Sequence, residues 1–304
     1  MTTHFRTPPA AAAIALSALA IVSLATRAEE PAPNAGMRYV SAGAQADSQH
    51  NQEALAVVSL PVGQHAWVQA GGGKSRGDPQ TGGYRPGIVT GAVGVAGRGL
   101  RLTLNASHRA DASRYRQTDW GASLDWRHGG GNVGLDVNHR QQQASGAVAL
   151  SNALGGSAAV PTRAKVSGTG VGVHGGLQLS EHASVYGSAM RSHFTSGTEQ
   201  VGTPASGGLL TRVLPGASSL VNIDEVALNR SAQVGATWRW SKVALSGEYT
   251  TGQVYDGEGA IRSVALKAAI DVAPGWRVAP GVGRGSGDGG GRANFASLSA
   301  TYGW

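Results

Sequence analysis

Two neighbouring Ser–His pairs, Ser107/His108 and Ser192/His193, are the nearest approach in this chain to a nucleophile beside its base. A serine hydroxyl is activated only when the imidazole lies within hydrogen-bond reach. Both pairs sit in extended, alternating segments, where adjacent side chains point to opposite faces, so neither can readily make that bond. The nine histidines show no His-x-x-x-His spacing, and no metal site is expected. Gly91, Gly94, Gly97 and Gly99 flank a strand and a turn rather than opening a helix, so they read as close-packing glycines, not a phosphate loop. The tripeptide Arg76-Gly77-Asp78 is too short to carry a function. No catalytic residue, cofactor or metal is expected, and the chain does not read as an enzyme.

The charged residues are more informative than the nucleophiles. Arg101, Arg127, Arg140, Arg239, Lys267 and Arg277, with Asp125, Asp136, Glu248 and Asp271, all fall at polar positions of alternating segments. Charges inside a closed, dry core would be costly. Facing a water-filled lumen they cost little. Arg101, Arg127, Arg239 and Arg277 lie near tight turns, joined by Arg98 and Lys242 within them. A basic mouth of that kind concentrates anions. The competing reading pairs these arginines with nearby acids or with anionic lipid headgroups.

The elements that must hold these residues are strands. Leu100, Leu102, Leu104 and Ala106 interleave with Arg101, Thr103, Asn105 and Ser107; Val234, Ala236, Trp238 and Trp240 interleave with Gln233, Gly235, Thr237 and Arg239. A period of two divides each set between the two faces of a sheet. Tight turn signals at 63–64, 97–99, 129–131, 180–182, 241–242 and 273–275 alternate with longer polar stretches near 77–86, 110–118, 144–163, 197–224, 256–260 and 285–292. Counting from Glu53 gives thirteen segments, and 37–47 supplies one more, so fourteen strands are expected, with twelve as the fallback.

The last segment, residues 293–304, places Leu298, Ala300, Tyr302 and Trp304 on one face and Ser297, Ser299, Thr301 and Gly303 on the other. A strand ending on an aromatic carboxy-terminal residue resembles the terminal signal strand of Gram-negative outer-membrane β-barrels. The resemblance is to that porin-like class, not to one family within it. It implies an all-β, antiparallel, up-and-down transmembrane barrel in the outer membrane, with outer-membrane lipid and the barrel-assembly machinery as partners. No Asp/His constellation like that of the omptin proteases is evident. Trp67, Trp126, Trp238, Trp240, Trp276 and Trp304 lie close to tight turns or to the carboxy terminus. With Tyr302 they are expected to form an interfacial aromatic girdle at the periplasmic rim.

Arg6 followed by the apolar run Ala10 to Ala25 has the layout of a secretory signal peptide, cleaved after Ala25 or Ala28. The division expected is 1–28 signal peptide, 29–36 periplasmic leader and 37–304 barrel. The 47 glycines are about twice the customary share of roughly 7%, and cysteine is absent, so no disulfide frame is available. Loss of Arg6 and Arg27 with the signal peptide would lower the formal charge from +7 by two, to +5. The basic residues are dispersed among Gly, Ser and Gln rather than clustered with aromatics, which argues against nucleic acid. The reading is a monomeric channel for small hydrophilic or anionic solutes, with export of an anionic polysaccharide as a specialised form. The alternative is a non-conducting structural or surface-interaction barrel; a barrel-embedded hydrolase is weaker than both. The 197–224 stretch, unusually apolar through Leu209, Leu210, Val213, Leu214, Leu220 and Val221, is expected to limit the opening.

Overall fold

A computed structural model describes residues 38–48, 51–76, 85–111, 115–151, 157–200, 228–254, 260–287 and 292–304. The leader and most of the 197–224 stretch fall outside these residues. The described chain folds as fourteen antiparallel strands: β1 Tyr39–Asp47, β2 Gln52–Val62, β3 Ala66–Arg76, β4 Gly87–Gly97, β5 Leu100–Ala110, β6 Tyr115–His128, β7 Gly131–Ser151, β8 Ser157–Gln178, β9 Ala183–Gln200, β10 Leu228–Arg239, β11 Val243–Val254, β12 Ala260–Ala273, β13 Trp276–Gly287 and β14 Arg292–Gly303. Each strand pairs with its sequence neighbours, and β14 closes the sheet on β1, from Tyr39 opposite Gly303 to Asp47 opposite Phe295. Within the expected 37–47 stretch, Tyr39–Asp47 therefore does supply the closing strand. Closure leaves no edge, which lipid demands because an unpaired backbone group there costs several kcal/mol.

The tight turns have the backbone their sequences allow. Arg98 and Gly99 both adopt positive φ, 50° and 80°, the mirror-image turn that matches the twist of a two-residue hairpin. Gly63, Gly129 and Gly275 take positive φ at three of the other turns on that rim. At the opposite rim one expectation needs correcting. Most of the 144–163 stretch is strand, because β7 runs on to Ser151 and β8 starts at Ser157, paired rung by rung. Its small and β-branched residues continue the ladder past the point where its polarity suggests a loop.

The core is inverted relative to a soluble protein. Large apolar side chains face outward and are exposed: Val58, Leu60, Val93, Leu102, Leu135, Val173, Leu266 and Leu298 among them. Their alternates on the inner wall include Ser59, Ser75, Ser123, Gln233, Ser246 and Ser263, all buried. An apolar outer band over a polar inner wall is stable only with lipid outside. Fourteen strands spaced ~4.8 Å apart and tilted ~40° close at a backbone radius of roughly 14 Å.

Candidate functional site

The inner wall is organised by register. On β8, Gly172, His174 and Gly176 alternate with outward Val171, Val173 and Leu177, so His174 points into the lumen. Opposite it on β7 stands Gly134, and opposite Gly134 on β6 stands Asp125. A Cβ at Gly134 would collide with the imidazole. The ring therefore lies flat over the missing side chain and reaches a carboxylate two strands away. Its Nε2 is 2.6 Å from Asp125 Oδ1 and its Nδ1 is 2.6 Å from Asp136 Oδ2. A carboxylate can only accept, so a ring serving both acids presents N–H on each nitrogen.

The same construction recurs around the barrel. Tyr186 on β9 crosses Gly235 on β10, which is in register with it, and donates its hydroxyl to Glu248 on β11 at 3.0 Å. Tyr39 on β1 reaches over Ser59 on β2, and its hydroxyl accepts from Gln69 Nε2 on β3 at 2.9 Å. Trp67 lies on Gly94, Phe194 on Gly168 and Phe295 on Gly283, each directly opposite, and a Cβ on any of these glycines would run into the ring. Large lumen side chains thus fold along the wall instead of pointing at the axis. Their cover accounts for the burial of polar neighbours such as Ser59 in a barrel this wide.

The ten charged residues expected in the lumen, Arg101, Arg127, Arg140, Arg239, Lys267, Arg277, Asp125, Asp136, Glu248 and Asp271, all fall on the inner face by alternation. Arg140 Nε donates to Asp119 Oδ1 at 2.7 Å, and Arg277 Nε donates to Asp271 Oδ1 at 2.7 Å. Arg101 stands directly opposite Asp125. Arg127 and Arg239, both exposed at the rim of tight turns, make no ion pair with another described residue. Members of the described lining that lay outside the expected set include Asp47, Glu53, Arg109, Asp119 and His174. Arg109 Nη1 reaches Glu53 Oε2 at 3.2 Å, from β5 across to β2. Gln117 Nε2 adds a 2.6 Å bond to Asp119. Inward polarity at these positions was available from alternation, but partners two or three strands apart follow only from the register.

Of the aromatics expected at the rim, all but Trp67 face outward. Trp126, Trp238, Trp240, Trp276 and Trp304 are exposed on the periplasmic rim. Tyr302 lies tilted against Trp276 and stacked on Trp304, at ring-centre distances of 4.9 and 5.7 Å. Trp67 is different: it faces the lumen and is 6% exposed. Val68 and Ala70 take the lipid face of β3, which leaves Trp67, Gln69 and Gly71 inside. The Ser–His neighbours also separate as alternation requires. Ser107 points inward to Asp119, while His108 points outward to Thr118 at 2.9 Å. Ser192 and His193 divide between the faces in the same way.

A closed fourteen-stranded barrel with an apolar outer band, an aromatic rim and a charged inner wall is an outer-membrane β-barrel, the class found in the outer membrane of Gram-negative bacteria. No protein-family model matches the chain, and no curated protein does. Solved structures share the fold at low identity. The CymD monoaromatic hydrocarbon channel matches with a TM-score of 0.56 at 10% identity, covering 88% of this chain and 89% of that one. A Pseudomonas aeruginosa FadL homologue matches with a TM-score of 0.55 at 9% identity, covering 88% and 90%. The translocator domain of the autotransporter NalP from Neisseria meningitidis matches with a TM-score of 0.50 at 11% identity, covering 93% and 96%.

Proposed function

We propose that this barrel is a channel for small hydrophilic solutes, with a mild preference for anions imposed at its periplasmic mouth. The fold alone does not decide the matter, because the same architecture serves as a hydrocarbon channel in one neighbour and a translocator domain in another. The observation that carries the reading is the way the lining lies. Rings rest on glycines, and charges bond sideways along the wall, so the inner surface is polar without side chains built to meet at the axis.

The charges also support a preference set by position more than by total. The inner wall carries Asp47, Glu53, Asp119, Asp125, Asp136, Glu248 and Asp271 against a comparable number of Arg and Lys. Much of the middle is neutralised in pairs, while Arg127 and Arg239 stand at the mouth where an entering anion meets them first. Export of an anionic polysaccharide is the specialised form of this function.

A second reading, a non-conducting structural barrel, draws on the near-complete burial of inward Ile261, Val166 and Gln117 on the outer half. Planar-bilayer recording of the purified protein separates the two. Discrete unitary steps carry the channel, and a folded, inserted and silent protein would remove it.

A further inference from the structure

We propose that the lumen is divided lengthwise, and that its uncharged half, over β13, β14 and β1 to β5, is the contact surface for neutral polyhydroxylated solutes, the sugar class. The inference rests on the channel reading and narrows its substrates. Among the described residues, the inward charges of these seven strands stand only at the two ends. Arg101 and Arg277 lie at the periplasmic rim, and Asp47, Glu53 and Arg109 lie at the outer one. Between them one line of partners in register runs Thr301, Ser41, Val57, Gly71, Thr90 and Ser107, from β14 through to β5, without a charge. Every member of that line is only partly buried, so it is open to the lumen. It ends where Ser107 meets Asp119 on β6.

The other half of the wall, β6 to β12, carries the charges of the middle: Asp125, Asp136, His174, Glu248 and Lys267. There His174 is held between two carboxylates, and Glu248 receives the Tyr186 hydroxyl. The width of the barrel keeps the two halves apart. A backbone radius of roughly 14 Å sets facing walls ~28 Å apart, against a Debye length of about 8 Å at physiological salt. Side chains fill part of that width, yet the field of the charged half is still screened before it reaches the wall opposite.

The two walls suit different solutes. An ion is drawn to the charged half, where fixed charges replace part of its hydration. A neutral sugar gains nothing there, because those groups are bonded along the wall and hold their water strongly. Along the uncharged half it exchanges water for serine and threonine hydroxyls, which donate and accept as its own hydroxyls do. Gln69 and Asn105 add amides to the same face. Leu55 and Val57, both partly exposed to the lumen, offer an apolar strip for the C–H face of a sugar ring. Gly43, Gly71 and Gly73 keep the surface shallow between them. Many weak contacts spread along a wall let a solute enter and also leave.

The test reads sugar and ion passage separately in the full-length folded protein, by swelling of proteoliposomes in sucrose and by reversal potential in planar bilayers. Wild type should conduct and admit sucrose. Stripping hydroxyls from the uncharged half, in S41A/S297A/S299A/T301V, should slow sucrose entry about threefold, the scale of one net hydrogen bond, and leave the reversal potential unmoved. Lys267→Gln should move the reversal potential toward cations and Glu248→Gln toward anions, each at the wild-type sucrose rate. Folded protein is selected by its gel shift, and T90V/T103V, on β4 and β5, takes the place of the first variant if that one does not fold. A silent, sucrose-tight wild type would remove the channel reading and this inference together. A conducting wild type that excludes sucrose, a hydroxyl variant with unchanged sucrose entry, or charge variants that slow sucrose as much would overturn the division alone.

Discussion

Replacing His174 with alanine removes a group that two carboxylates share. Its two 2.6 Å bonds, to Asp125 and Asp136, are charge-assisted, and such bonds contribute about 1.5–3 kcal/mol each. The three side chains retain 11–17% of their exposure, so water replaces part of what is lost. The surviving carboxylate oxygens, bridged until then by two 2.6 Å bonds and the ring, lie about 7 Å apart, and their repulsion is ~0.6 kcal/mol in water and ~2.4 kcal/mol at an effective dielectric of 20. Together these predict a loss of roughly 2–4 kcal/mol. The assay is urea unfolding of the protein in lipid vesicles, followed by tryptophan fluorescence and by gel shift. Adding Asp125→Asn and Asp136→Asn to His174→Ala should recover part of the loss, because the repulsion disappears with the charges. The single variant should also shift ion selectivity toward cations, having taken a hydrogen-bond donor from two acids on the wall. A destabilisation below about 0.5 kcal/mol, or no recovery with the two asparagines, would refute the reasoning that the imidazole joins three strands electrostatically.

Three further outcomes follow from the wall. Gly168→Ala and Gly283→Ala should each cost about 1–3 kcal/mol by overpacking Phe194 and Phe295, and Phe194→Ala should relieve the first cost in the double variant, all read from unfolding midpoints. Trp67, as the sole tryptophan left in a variant, should resist quenching by brominated lipid, whereas Trp276 alone should be strongly quenched; quenching of Trp67 would place it on the lipid face after all. Deleting residues 293–304 removes β14 and opens β1 and β13 to the bilayer, so the truncated chain should fail to give the folded, heat-modifiable band in outer-membrane fractions.

Much of this molecule is legible in its sequence because strand alternation is a local property. Leu100 to Ser107 declares its two faces without knowledge of any neighbour, and a polar inner wall follows from it. Trp67 shows where a general tendency misleads: indoles favour the rim, yet its alternation with Val68 and Ala70 already assigns it inward. What alternation cannot give is the partner. His174 joins Asp125 because Gly134 lies between them in register, and Tyr186 joins Glu248 because Gly235 does. These relations depend on the relative stagger of three strands, which no single segment encodes. The 144–163 stretch misled for the opposite reason. Its glycines and serines look like a loop, but rung-by-rung pairing of residues 144–151 with 157–164 keeps those residues extended.

The most direct test of the channel reading is the reversal potential across a salt gradient, for wild type and for the variant carrying Arg127→Glu, Arg239→Glu and Arg277→Glu. These three side chains stand on the inner wall near the periplasmic mouth. The wild type should show a mild anion preference at low salt, fading as salt approaches molar, where the Debye length falls to about 3 Å. The triple variant should reverse sign at low salt and converge with wild type at high salt. An unmoved reversal potential in a folded, conducting variant would contradict the account, because those charges would then lie away from the path of the ions.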